Sequence, residues 1–125
     1  KQRPDYASLE DALDEAVQMV IKNKRIVYHL YRSADRALVE MYLMRICEQV
    51  ILSYIHDNHG DLSVSPEDKT IIVRYYKCQC FGMIIDWLNS DMRFDIAAEA
   101  RRMYELRKGM LEEIVRRASM QRSKT

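Results

Sequence analysis

Glycine and proline are scarce in this chain of 125 residues, which contains three glycines and two prolines. Neither occurs between Asp5 and His59. Proteins built from short strands and tight turns need both residue types at their turns. Their scarcity therefore argues against a β-rich fold, and a composition with 48% apolar and 31% charged residues predicts an ordered, all-α protein.

A surplus of charge and long apolar runs are missing as well. Twenty basic and nineteen acidic residues leave a formal net charge of +1, which is small for a chain that neutralises nucleic-acid phosphates. No uninterrupted apolar run approaches the roughly 20 residues that span a bilayer. We therefore expect neither direct nucleic-acid binding nor membrane insertion.

Cysteine is also rare. Three cysteines are too few, and odd in number, for a disulfide scaffold, and they fit a reducing compartment such as the cytoplasm. The length suits one domain over residues 1–125. Since the chain begins at Lys1, with neither a methionine nor an apolar leader, we expect it to be part of a longer protein.

The common catalytic motifs are absent too. Glycine stands only at positions 60, 82 and 109, so no phosphate-binding loop, dinucleotide-binding turn or nucleophile elbow can form. No histidine follows a glutamate by three residues, which excludes the di-iron bundle pattern. We expect no catalysis and no cofactor, and an enzyme of an unrecognised helical type is a third possibility beside the two given below.

Two short pairs of residues deserve a comparison with metal sites. Cys78 and Cys80 would point about 200° apart on a helix, which favours packing over shared metal ligation. His56 and His59, three residues apart at a helix end, could touch one ion, but no third ligand is evident nearby. A solvated helix end is the simpler interpretation, and we expect no bound metal.

The spacing of apolar residues predicts the first helix. From Leu9 to Ile21 they recur every three or four positions, and Ser8 is a candidate N-cap in front of them. The polar run at 22–25 interrupts this pattern before it resumes. It predicts either a kink or a second short helix.

A longer helix should follow, capped by Ser33 or Asp35 and ending at about His56 or Asp57, before a glycine. Its apolar residues cover most of the circumference, which predicts a central position. Arg45 and Gln49 lie on a different side of this helix from Arg36 and Glu40, so it has two polar sides, of which only one needs to face water. Arg45 is therefore a candidate interior polar group.

The segment 65–68, Ser-Pro-Glu-Asp, gives the clearest helix start, because serine caps, proline suits the first turn and two carboxylates favour the helix dipole. We predict a helix from Pro66 to about Ser90. It carries two apolar stripes: Tyr76, Cys80, Met83, Ile84 and Trp87 form one, and Ile71, Tyr75, Cys78, Gly82 and Ile85, followed by Asn89, form the other. One stripe can face the core and the other a partner.

Asp95 is a candidate cap for a last long helix. Gly109 either ends this helix after Lys108 or lies within it at a cost of roughly 1 kcal/mol relative to alanine. The helical period of residues 110–118 favours continuation.

Eight methionines and eight tyrosines would suit the wall of a pocket for organic molecules, although an ordinary core uses the same residues. Apolar helix faces with sparse polar groups give the candidate pocket residues Tyr28, Tyr42, Arg45, Gln49, Tyr76, Cys80 and Trp87.

Several segments together resemble the C-terminal regulatory domain of tetracycline-repressor (TetR) type transcription factors. They are the residues at 65–68, 74–77 and 82–88, with Met92 and Asp95, the turn at 23–25 and the long helix from Ala34. The resemblance implies an antiparallel bundle of about four to six helices, in which the two long C-terminal helices form a dimeric four-helix interface. The implied interface residues are Ile71, Tyr75, Cys78, Gly82, Ile85, Asn89, Met103, Leu106 and Met110.

The resemblance also implies a function. In that family an N-terminal helix-turn-helix domain binds DNA, and the C-terminal domain forms a homodimer and often encloses a small organic effector. We therefore expect an effector-sensing and dimerisation domain whose parent binds DNA through a domain absent from this chain. A protein co-regulator could replace the small effector. The alternative is a helical adaptor that binds another protein through the second stripe and has no ligand pocket.

Overall fold

The computed structural model describes residues 9–59 and 64–123, and the side chains within 11–56 and 64–120. These residues form helices and no strand, so the expected all-α class is confirmed. The helices are α1 (Leu9–Lys22), α2 (Lys24–Tyr31), α3 (Arg36–His59), α4 (Pro66–Asn89), α5 (Ile96–Arg107) and α6 (Met110–Ser123). None of the described helices is long and apolar enough to cross a membrane.

Two of the predicted helix starts are confirmed by their hydrogen bonds. The Ser65 hydroxyl accepts a hydrogen bond of 3.1 Å from the backbone N–H of Asp68, and the Asp95 carboxylate accepts one of 3.1 Å from that of Ala98. Each bond satisfies a donor that the helix itself leaves unpaired. The predicted Ser8 cap lies outside the described residues.

The polar run after α1 separates two helices, so the second of the two alternatives is correct. The side-chain amide of Asn23 donates to the Met19 carbonyl over 3.0 Å, which satisfies an acceptor at the end of α1. The next helix begins at Lys24. The following helix begins at Arg36, directly after Asp35, whose carbonyl accepts from the backbone N–H of Val39 at 3.2 Å.

The helices form an antiparallel bundle around two joined clusters of buried side chains. The first cluster includes Val17 and Val20 of α1, Leu43 of α3 and Ile84 of α4, with Ile96 of α5. The second lies at the other end of the bundle and includes Ala12, Ile51, Ile72, Tyr76 and Leu111. Residue numbers rise from the first cluster to the second along α3 and fall along α1 and α4. Helix α3 therefore runs opposite to both of its large neighbours.

Helix α3 packs against α1, α2 and α4, as its apolar sequence predicts, but one of its sides stays uncovered. Leu38 is 64% exposed and Met41 61%. Arg45 is also exposed. The expectation of an interior Arg45 was therefore wrong, because no helix of the described chain covers the side of α3 on which it lies.

The predicted continuation of the last long helix was also wrong. Helix α5 ends at Arg107 and α6 begins at Met110. Between them Gly109 has φ +87°, a conformation that glycine adopts without steric cost. Leu111 is then buried in the second cluster. A helical period on both sides of a glycine is compatible with two helices as well as with one, so the period could not reveal the break.

Replacement of Gly109 by alanine is expected to lower the free energy of unfolding by about 1 kcal/mol, because a left-handed conformation costs an L-residue roughly that much. Asparagine, which tolerates this conformation better, should cost less at the same position. Urea denaturation of the two variants and the wild type measures both effects. If the helix instead ran through Gly109, alanine would stabilise the chain by a similar amount.

Candidate functional site

A cavity of about 480 Å³ lies between α1, α4 and α5 and is bordered by the first residue of α6. We call it the α1–α4–α5 cavity. Its walls are mostly apolar and rich in methionine, and four polar side chains interrupt them. The apolar residues are Leu13, Cys80, Met83, Ala100, Met103 and Met110, and the polar ones are Asp14, Gln79, Tyr104 and Arg107.

The polar groups of this cavity fall into two sets. One oxygen of Asp14, Oδ2, lies 3.4 Å from a guanidinium nitrogen of Arg101, while Oδ1 is buried without a hydrogen-bond partner. The Arg107 guanidinium stacks over the Tyr76 ring, 4.9 Å from its centroid, and donates a hydrogen bond to the Gln79 side chain. The cavity therefore contains one carboxylate and one guanidinium, each held by its own neighbours.

A second recess, of about 440 Å³, lies between α1, α2 and α3. We call it the α1–α2–α3 groove. Its lining is more apolar and includes exposed side chains such as Ile26 and Leu38. Among its polar groups are Asn23, Asp35 and the hydroxyl of Tyr42.

The seven predicted pocket residues are not gathered into one site. Tyr42 lines the α1–α2–α3 groove, whereas Cys80 lines the α1–α4–α5 cavity. Arg45 and Gln49 are exposed on α3 and line neither. Their role in ligand binding stays a prediction, and the structure does not bring them together with the other candidates.

The three remaining aromatic candidates have structural partners. Tyr76 is buried beneath Arg107, beside the α1–α4–α5 cavity. Trp87 is buried and its indole N–H donates to the carbonyl of Phe94 over 3.0 Å. The Tyr28 hydroxyl donates to Asp91 over 2.6 Å. The polar atoms of Trp87 and Tyr28 are therefore used in contacts within the domain.

The hydrogen bond between Tyr28 and Asp91 joins α2 to the loop between α4 and α5. This bond raises the pKa of Tyr28 and lowers that of Asp91. Arg32, 3.6 Å from the carboxylate, contributes to the lower pKa of Asp91. Beside it, the Tyr31 hydroxyl donates to the Asn89 side chain at 2.7 Å. Helix α2 is thus held to the end of α4 by polar contacts as well as by packing.

The side of α4 that faces away from the core remains apolar and accessible. Tyr75 is 67% exposed and Ile71 48%, and Cys78 and Gly82 are exposed as well, whereas Ile85, at the end of this stripe, is half-buried and packs against the first cluster. We call Ile71, Tyr75, Cys78, Gly82 and Ile85 the outer face of α4. Met103, Leu106 and Met110 are exposed near the junction of α5 and α6.

Sequence reasoning missed the polar residues of the α1–α4–α5 cavity. Asp14 lies at the edge of the apolar stripe of α1, close in angle to Val17 and Ile21, and that position is the only signal of its partial burial. Gln79 and Arg107 belong to helix sides that the pattern assigns to solvent. Their meeting depends on how α4 and α5 pack.

The cysteines occupy different environments. Cys47 and Cys80 are buried and belong to the same core cluster, whereas Cys78 is exposed. The pKa of the Cys47 thiol is raised, mainly by a hydrogen bond with Cys80 and to a smaller extent by burial. Among the described side chains, no three of the His, Cys, Asp or Glu type come together as a metal site would require. The side chain of His59 lies outside the described residues.

We expect N-ethylmaleimide to modify Cys78 first in the native protein, because Cys78 is exposed whereas packing shields Cys47 and Cys80 from the reagent. Because Cys78 belongs to the expected dimer interface, the protein is diluted until it is monomeric, and mass spectrometry should then find one label per chain before unfolding and three after it. The Cys78→Ser variant should lose the early label. Early labelling of Cys47 or Cys80 would contradict the described packing of α3 against α4.

Comparison with known families gives one match. Residues 7–109 match a family model of the TetR type, described as "Transcriptional regulator C-terminal region". The match covers most of the chain and ends at Gly109, where α5 gives way to α6. No curated protein and no solved structure matches the chain.

Proposed function

The chain belongs to the C-terminal regions of TetR-type transcriptional regulators, and from this membership we propose that it dimerises its parent protein and senses a small organic effector. DNA binding belongs to an N-terminal helix-turn-helix domain of the parent. Occupancy of the effector site shifts the population of dimers that are competent to bind DNA. A regulatory family of this kind gives no reason to propose catalysis.

The outer face of α4 supports dimerisation. Exposed tyrosine and isoleucine side chains in one stripe would lose water contact on association, which is the main favourable term in most protein interfaces. Gly82 lies in the middle of the stripe, and a Cβ built there meets nothing within 4 Å. A second copy can therefore approach this point closely in a two-fold interface between like helices.

The α1–α4–α5 cavity is the observation that carries the sensing proposal. Pockets for small molecules usually exceed about 300 Å³ and combine apolar walls with a few polar groups. The cavity, at about 480 Å³, has both features. A filled interior would have favoured the alternative of a protein-binding adaptor.

The two activities share residues. Met103 and Met110 line the cavity and also belong to the predicted interface. A molecule in the cavity that moves α5 relative to α4 would therefore change the surface offered to the second copy. This overlap gives a physical route from effector binding to the spacing of two DNA-binding domains.

Light scattering across a dilution series tests dimerisation. The wild-type chain of 14.9 kDa is expected to have an apparent mass of about 30 kDa. Tyr75→Glu should give the monomer mass, because it buries a charge in the interface. Tyr42→Glu is the matched control, since Tyr42 is 57% exposed but lies in the α1–α2–α3 groove. A wild-type monomer at every concentration would contradict the proposed dimer.

Substitution of Gly82 by alanine tests whether the helices of two copies approach each other closely at this residue or whether Gly82 is only an exposed glycine. In an isolated helix, alanine should raise the free energy of unfolding by roughly 0.5–1 kcal/mol. In a dimer whose helices cross at Gly82, the added methyl group should instead weaken association. Sedimentation equilibrium measures the dimer dissociation constant, and an unchanged constant would remove Gly82 from the interface.

A further inference from the structure

The carboxylate of Asp14 is only partly satisfied. Its Oδ2 faces Arg101 at 3.4 Å, and its Oδ1 is buried with no hydrogen-bond donor. The Arg101 side chain is 65% exposed, so water screens much of that ion pair. A buried acceptor without a partner destabilises the folded chain. A ligand that brings a hydrogen-bond donor into the adjoining cavity would supply the missing partner.

The position of Asp14 connects this acceptor to the α1–α4–α5 cavity. Asp14 is one of the residues that line the cavity, and apolar side chains such as Leu13 and Met83 line the same cavity. The terminal torsion of an aspartate side chain is broad. A small rotation can therefore turn an unpaired oxygen toward the cavity without a change in the backbone.

The charges around the cavity restrict the donor. Arg101 lies beside Asp14, and Arg107 is part of the cavity wall. A cationic ligand would meet two guanidinium groups next to a single carboxylate, whereas a carboxylate ligand has no hydrogen-bond donor for Asp14. An uncharged donor avoids both disadvantages.

We propose that the α1–α4–α5 cavity binds an apolar molecule with an uncharged hydrogen-bond donor, of the alcohol class, which donates to the carboxylate of Asp14. The methionine-rich wall holds the apolar body, since methionine adapts its shape to its contacts. This assignment rests on the proposed sensing function and specifies the chemistry of its effector.

Four small probes of similar size test the chemistry by calorimetric titration of the full chain. They are 1-octanol, its isomer heptyl methyl ether, which has no donor, octylammonium and octanoate. We expect 1-octanol to bind at least about tenfold more tightly than the ether, since the ether cannot supply the missing hydrogen bond. It should also bind more tightly than either charged probe. Equal affinity for the alcohol and the ether, or tighter binding of octylammonium, would overturn the proposal.

Substitutions at Asp14 test the acceptor. Asp14→Leu should abolish the preference for 1-octanol over the ether, whereas Asp14→Asn keeps an acceptor oxygen and should retain part of it. Glu15→Leu, at the exposed neighbouring position, is the control and should leave the preference unchanged. Circular dichroism checks that each variant is folded. Asp14→Leu should unfold at the same temperature as the wild type or higher, because it removes a buried acceptor without a partner.

Methionine methyl NMR spectra locate the probe. Bound 1-octanol should shift the signals of Met83 and Met103, in the cavity, whereas shifts confined to Met19 would place it in the α1–α2–α3 groove and overturn the assignment. Light scattering on the same samples separates the two proposals. A dimer that shows no preference for the alcohol refutes the ligand class alone, and a monomer refutes the dimer of the proposed function.

Discussion

Burial of side chains between α3 and α4 orders the rest of the molecule, because these helices of 24 residues each contribute to the core at both ends. Leu43 and Cys47 meet the part of α4 around Ile84, and Ile51 meets the part around Tyr76. Helix α1 then packs into the same two clusters and helix α5 packs on α1. Close packing of this kind leaves little freedom to shift one helix along another. It therefore fixes which residues of α4 point inward and which remain available to a partner.

The two sides of α4 have different roles in the proposed function, one in effector binding and the other in dimerisation. The inner side contributes Cys80 and Met83 to the α1–α4–α5 cavity, and the outer side presents Ile71 and Tyr75 to solvent. Both sides belong to one rigid helix, capped at Ser65 by a side-chain hydrogen bond. In the proposed mechanism, a displacement at the cavity would be transmitted to the outer face by the helix itself. The junction of α5 and α6 at Gly109 adds a second element that borders both surfaces.

Polar contacts give the bundle its specificity beyond apolar packing. Tyr28 and Tyr31 of α2 reach the end of α4 and the loop after it, so the short helix α2 has a fixed position despite its few buried residues. Asp14 differs from them, because one of its oxygens is buried without a hydrogen bond. A group that lowers stability in the free protein is a reasonable place for a binding function, since the ligand restores what the fold leaves unpaired.

The sequence by itself determined the all-α class, the helix starts at Pro66 and after Asp95, and the two-sided pattern of α4. Each depends on residues close together in the chain, whose hydrogen bonds and spacing act locally. Only the tertiary structure decided the break at Gly109, the exposure of Arg45 and the meeting of Asp14 with Arg101, 87 residues away. These features depend on which helix sides other helices cover, and residue periodicity carries no information about the identity of the neighbour. The α1–α4–α5 cavity was for the same reason beyond prediction, although Cys80 had been among the candidates for its wall.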